Sequence, residues 1–260
     1  YGRNEYIQTS RSLVVVTAPG PGSGKMAVCL SQLYHENLRG VKAGYAKFET
    51  FPIWNLPLKH PVNVAYEAAT VDLNDVNMID PFHLEAYGET VVNYNRDIEI
   101  FPVLNAIFKQ IYGASPYRSP TDMGVNMAGN CIIDDEVCRE ASLKEIVRRY
   151  YKCMCDQKVS GVVKQDRFKL ELLMNQAGIA PGEREVEKKA AACSEAIDGA
   201  PAAAIELADG SIVTGKTGPL LGAASSALLN ALKRLAGIDQ EEDLVSARAI
   251  EPIQTLKTNY

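Results

Sequence analysis

Three alternating glycines and a lysine carry the clearest chemistry in this sequence. Gly20, Gly22 and Gly24, with Ser23 between them and Lys25 closing the run, follow the apolar stretch Leu13–Val16 and precede a segment of helical period. Glycine lets the backbone take positive φ and come close to a ligand. A helix start offers free N–H groups and the positive end of its dipole to a phosphate. Lys25 adds a point charge. The order strand, glycine loop, helix therefore predicts a phosphate-binding site made of Gly20, Gly22, Ser23, Gly24 and Lys25. The P-loop pattern asks for Gly, four free positions, Gly-Lys and then Ser or Thr. Here Pro19 holds the leading position and Met26 the hydroxyl position. Proline fixes φ and removes a donor, and methionine removes the hydroxyl that would hold Mg²⁺. No apolar strand ending in Asp supplies a second metal-binding carboxylate. The pattern thus names a ligand class, a phosphate or a nucleotide cofactor, without securing Mg²⁺ or disclosing a reaction. A merely tight strand-to-helix turn is the structural alternative.

Four further side chains are candidates to complete a crevice around that loop. Glu49 ends an apolar stretch, Ala43–Phe48, and would face the loop if both stretches are parallel strands, because ligands bind beyond the carboxyl ends of such strands. A solvated strand end accounts for it equally well. His60 lies in Phe51–Pro61, a segment with three prolines and the sole Trp, a composition typical of loops that cover something. Asp122 sits in the long loop Ser115–Asn130, and Asp134 opens the acidic run Asp134-Asp135-Glu136, where helix capping is the alternative. Cys131 is the one cysteine in a loop where a nucleophile could sit. No zinc motif links Asp80, His83 and His60, and capping explains Asp80, so no metal site is expected.

The elements that must position these groups follow from periodicity. Leu13–Val16 reads as a buried strand, and Met26, Cys29, Leu30, Leu33 and Asn37 share one side of a helix that Gly40 can close. With Ala43–Phe48 this makes a βαβ unit, hence a Rossmann-like parallel α/β sheet. Val64–Leu73 is a short helix, Asn74–Asp80 a polar turn, Asp80-Pro81 a capped helix start, Val91-Val92 a short strand, and Ile100–Ile111 a helix. Asn93–Asp97, an Asn/Arg/Asp cluster between strand and helix, has the polarity that hydrogen-bonds a sugar or an amide. Val137–Cys155, Arg167–Gln176 and Glu183–Ile197 are helical. Ala202–Leu207 and Ser211–Gly215 form a hairpin around Asp209-Gly210, followed by the helix Leu220–Leu235. That order resembles the opening of cytidine-deaminase-type domains, without their zinc signature. The expected division is a Rossmann-like phosphate- or nucleotide-binding region over 1–130, a helical region over 131–198, and, over 199–260, the start of a smaller α+β, hairpin-plus-helix C-terminal subdomain.

At 260 residues, 47 % hydrophobic and 23 % charged, the chain has the composition of a globular protein with a sizeable core. A net charge of −5 argues against a nucleic-acid partner, and no apolar run is long enough to span a bilayer. The six cysteines include no C-x-x-C pair, which favours a reduced, cytoplasmic setting without disulfides or structural zinc. The partner is then a phosphorylated small molecule; a homo-oligomer is compatible with the sequence. The chain begins with Tyr1, not Met, and reads as an internal piece of a longer protein.

The segments LVVVTAPGPGSGKMA, GYAKFETFPIWNLPLKHPVN, NMIDPFHLEAYG, NYNRDIEIFPVLNAI, SPTDMGVNMAGNCIIDDE and ADGSIVTGKT carry a wider resemblance. In them the chain resembles an uncharacterised bacterial protein family of the UPF/DUF type, over essentially its whole length. The resemblance implies members about twice this long, a Rossmann-like N-terminal region, a helical insertion and a deaminase-like C-terminal subdomain. It brings no established catalytic residues. Some members carry the label of ATP-dependent peptidases, yet this sequence has neither H-E-x-x-H nor a nucleophile elbow. The expected function is that of an enzyme binding a nucleotide or phosphorylated metabolite, with group-transfer or hydrolytic chemistry. The alternative is a non-catalytic ligand sensor or scaffold that keeps the phosphate loop.

Overall fold

The computed structural model describes residues 2–20, 22–48, 51–162 and 165–259. The chain forms two compact units, Tyr1–Gly178 and Ile179–Tyr260. The helices that were expected to make a separate middle region divide between them, because α5 (Asp135–Ser160) packs on α2 (Pro61–Ala69) and on α6 (Asp166–Ala177). Gly178 ends α6 in the left-handed conformation, so the break falls at a glycine C-cap.

The core of the first unit lies between two helices. α1 (Lys25–Leu38) contributes Leu30 and Leu33, and α4 (Asn95–Tyr112) contributes Phe101, Leu104, Phe108 and Ile111; Met123 joins them. The i, i+3, i+4 spacing of these residues is what gives each helix one apolar face. α1 closes as the sequence predicts: Gly40 has φ +75°, with Gly40 N donating to Asn37 O at 3.0 Å and Val41 N to Glu36 O at 2.9 Å. This is a Schellman motif. α3 (Pro81–Tyr87) starts at Asp80, whose carboxylate accepts from Phe82 N at 3.0 Å and His83 N at 3.1 Å.

The unit is mixed α/β, but its sheet is not the expected one. β1 (Asn77–Ile79) and β2 (Val92–Tyr94) pair antiparallel, in the register Asn77 to Tyr94 and Ile79 to Val92. The sequence placed a polar turn where β1 lies. Among the described residues, the parallel pairing outside named strands is a single bridge between Ile53 and Asn126. Leu13–Val16, expected as a buried strand, belongs to no sheet, and Leu13, Val14 and Val15 are 79 %, 49 % and 70 % exposed. Ala43–Phe48 is extended, with half-buried Ala43, Tyr45 and Lys47 alternating with exposed neighbours. Its backbone bonds to side chains instead of to a ladder: Tyr117 OH accepts from Tyr45 N at 2.6 Å and donates to Tyr45 O at 2.6 Å, and Tyr112 OH donates to Ala43 O at 2.8 Å. A strand needs an adjacent strand for its backbone groups, and the described residues supply none to either stretch.

In the second unit α7 (Glu185–Glu195) and α8 (Ala223–Ala236) pack on an antiparallel hairpin of β3 (Ala202–Glu206) and β4 (Ile212–Lys216). α9 (Ala247–Asn259) follows. The turn is the one the sequence predicts: Gly210 has φ +78°, and Asp209 Oδ1 accepts from Ser211 N at 2.9 Å. A two-stranded sheet is all the described residues of this unit form; the expected hairpin and following helix are there, and nothing in them supports a deaminase-like character. No helix among the described residues is long and apolar enough to cross a membrane.

α8 lies against β4 because Gly215 has no side chain. A Cβ there would sit 2.0 Å from Ala227 N, and Ala227 is itself wholly buried. Gly215→Ala is expected to push α8 off the hairpin and destabilise the unit by about 1–3 kcal/mol. Urea unfolding followed by circular dichroism reads this, and an unchanged midpoint would refute the close approach.

Candidate functional site

The glycine loop takes the conformation its composition allows. Gly22 has φ +71° and Gly24 φ +88°, values that L side chains rarely adopt. Ser23 Oγ donates to Gly20 O at 2.6 Å, and Lys25 Nζ donates to Gly20 O at 2.8 Å and to Ser23 Oγ at 3.2 Å. The polar side chains thus fold the loop around the Gly20 carbonyl. Gly24 is the N-cap of α1 without a side-chain cap, and the first turn holds no acidic residue. The first intrahelical bond is Val28 N to Gly24 O at 3.0 Å, so the N–H groups of Lys25, Met26 and Ala27 precede it. The positive end of this helix is not neutralised by its own sequence.

All five residues assigned to phosphate from sequence line one cavity of about 1000 Å³. The same cavity is lined by residues that the sequence assignment left out. Lys47 comes from the extended stretch after α1, and Arg96, Asp97 and Glu99 from the first turns of α4. Met26, Leu30, Leu73 and Ile100 give it an apolar wall. Lys47 is paired with Asp97, whose side chain is buried and whose Oδ2 has no hydrogen-bond partner. Arg96 Nη2 lies 3.2 Å from Oδ2 of Asp75, a buried carboxylate. The signal for Arg96 and Asp97 is the Asn/Arg/Asp cluster Asn93–Asp97, which runs into the first turn of α4. Lys47 had only its period-two place in Ala43–Phe48.

Of the candidate catalytic residues, the three that are described lie elsewhere. Glu49 lies outside the described residues. His60, Asp122 and Asp134 do not line the cavity. His60 is buried and caps α2, its Nδ1 accepting from Val62 N at 3.3 Å. That role leaves the proton on Nε2, which faces Asp135 Oδ1 at 3.0 Å. Asp134 caps α5 through Val137 N at 3.1 Å. Asp122 closes a capping box with Ser119, and its Oδ2 also accepts from Arg118 N at 2.7 Å and Tyr87 OH at 3.0 Å. His83 Nδ1 does meet Ser119 Oγ at 2.9 Å. Ser119 is wholly buried and its hydroxyl accepts from Asp122 N, which makes it a cap and not a nucleophile. Cys131 is exposed in a short 3₁₀ turn, Ala128–Cys131. Among the described residues no three His, Cys, Asp or Glu side chains gather to hold a metal.

Fold and cavity define an α/β protein with a glycine loop at a helix start and a cation-bearing cleft beside it. The chain belongs to the DUF1846 family of domains of unknown function: the model of its N-terminal domain matches residues 1–178 and that of its C-terminal domain residues 182–260. The division between the two models coincides with the break between the compact units. The chain is 61 % identical to a UPF0371 protein of Corynebacterium aurimucosum over 100 % of its length and 52 % of the relative's. It is 62 % identical to one of Corynebacterium diphtheriae over 99 % and 52 %, and 60 % identical to one of Streptococcus equi subsp. equi over 100 % and 52 %. It therefore spans about half the length of the curated relatives it matches. The resemblance to an uncharacterised bacterial family is thereby shown, and these names bring no activity with them.

One pH effect follows from the His60 cluster. The hydrogen bond from Arg139, at 2.6 Å, holds the Asp135 carboxyl below the usual carboxylate range, with His60 adding to it. A lowered folded pKa stabilises above the unfolded value, about 3.9, and that stabilisation is lost as pH falls through the folded value. Asp135→Asn is expected to melt below wild type at neutral pH, with the gap closing in acid. Thermal unfolding from pH 7 to pH 3 checks this; a gap that stays constant would remove Asp135 ionisation as its cause.

Proposed function

We propose that Gly20–Lys25 binds the phosphate of a nucleotide or phosphorylated metabolite. The observation that carries the reading is an uncapped helix start without acidic neighbours, opening on a cavity that also holds Lys47 and Arg96. The backbone N–H groups at Lys25–Ala27 would donate to phosphate oxygens, and Lys25 would exchange its loop contacts for the anion. The net negative charge suits a small phosphorylated partner better than a nucleic acid. The same proposal sets the protein in the cytoplasm, the compartment favoured by six cysteines without a C-x-x-C pair.

For the chemistry that follows binding, group transfer or hydrolysis is the enzymatic reading. One observation favours a second, non-catalytic reading as sensor or scaffold. Met26 occupies the hydroxyl position, and His60, Asp122 and Asp134 are engaged in capping away from the cavity. Product formed in a single turnover would decide for the enzyme.

Two substitutions test the cradle itself. Lys25→Ala removes a charge-assisted contact worth roughly 1.5–3 kcal/mol, so affinity should fall about ten- to a hundredfold. Gly20→Ala is the cleaner probe, because a Cβ there meets no atom within 4 Å. It should leave the melting temperature unchanged and weaken phosphate binding by filling the space that the ligand needs. Calorimetry against ATP, GTP, phosphate and sugar phosphates reads both; no binding by wild type, or equal affinities for all three proteins, refutes the cradle.

A further inference from the structure

The geometry points to a ligand with at least two phosphoryl groups on an apolar body, a nucleoside di- or triphosphate; this rests on the phosphate-cradle reading above. Two cations besides Lys25 line the same cavity, and each is oriented by a buried carboxylate, Lys47 by Asp97 and Arg96 by Asp75. Buried carboxylates of this kind fix where a long cationic side chain ends. A single phosphate on the loop occupies the helix start and Lys25. A second phosphoryl group can then be taken by Lys47 and Arg96, which line the same cavity. Because the two carboxylates partly offset these cations, one extra negative charge gains little from them, whereas a diphosphate brings enough charge to compete.

The apolar wall of Met26, Leu30, Leu73 and Ile100 offers a surface for a base. Inorganic phosphate and sugar monophosphates use only part of this arrangement.

The experiment is calorimetry of the full chain against inorganic phosphate, pyrophosphate and ADP at one ionic strength. Pyrophosphate is expected to bind at least tenfold tighter than phosphate, and ADP about tenfold tighter than pyrophosphate. The double variant Lys47→Met/Asp97→Leu removes the pair without stranding a buried charge. It should weaken pyrophosphate binding at least tenfold more than phosphate binding and so remove the preference for pyrophosphate. Equal affinities for the three ligands, or a double variant with the full ladder, would overturn the inference while Gly20→Ala still reports on the cradle. Absence of phosphate and pyrophosphate binding alike would overturn the cradle and this inference together.

Discussion

The first unit depends on one wholly buried carboxylate. Asp80 takes Phe82 N and His83 N on Oδ1, and Thr121 Oγ1 at 2.6 Å with Thr121 N at 3.3 Å on Oδ2. Its own N–H donates to Val91 O at 3.0 Å, extending the pairing of β1 with β2. Three parts of the chain that are distant in sequence are thus fixed by one side chain. A buried charge persists only where its lone pairs are filled, and here four donors fill them. Through Thr121 the same carboxylate sets Met123, which enters the core between α1 and α4 and whose carbonyl accepts from Lys47 N at 2.7 Å. The lysine on the cavity wall is therefore held from behind by a network that begins at Asp80.

Asn63 does for the proline-rich segment what Asp80 does for α3. Its Oδ1 accepts from Ile53 N at 2.6 Å, and its Nδ2 donates towards the carbonyls of Ile53, Leu56 and Pro57 at 3.1, 3.3 and 3.2 Å. The segment can then stay irregular and buried, which a loop without such partners cannot do. Buried polar side chains take the place that a sheet ladder holds in a parallel α/β protein. The tyrosine hydroxyls on Tyr45 and Ala43 are a further instance. Such pins depend on three-dimensional neighbours, so mutating one releases a segment rather than a single contact.

What the sequence makes legible is what local chemistry decides. The amphipathic period of Val137–Cys155 became part of α5, Asp209-Gly210 became the hairpin turn, and Asp80-Pro81 became a helix start. Ser119-x-x-Asp122 is also a local pattern, a capping box, and it explains Asp122 without catalysis. Non-local pairing was not legible. Leu13–Val16 has the composition of a covered strand, but cover depends on which strands lie beside it, and none does among the described residues. Asn77–Ile79 is too short and polar to announce itself, and it is a strand because Val92–Tyr94 reaches it. For the same reason the glycine loop could be read from six consecutive residues, whereas Lys47, Arg96 and Asp97 belong to the cavity only after the chain has folded.

The two sides of the glycine loop are anchored unequally, and for the phosphate reading proposed above this sets which groups would supply the attraction. On the helix side Leu30 and Leu33 bury α1 against α4, so the N–H groups of Lys25–Ala27 are held by the core. On the strand side no hydrogen bond among the described residues engages the backbone of Leu13–Pro19. Donors on a rigid element lose little entropy when an anion arrives, whereas donors on an unanchored stretch must first be ordered. In the phosphate reading proposed above, the helix start, Lys25 and the cavity-lining Lys47 and Arg96 would supply the attraction. Gly20 and Gly22 would supply room, through the absence of side chains rather than the presence of contacts.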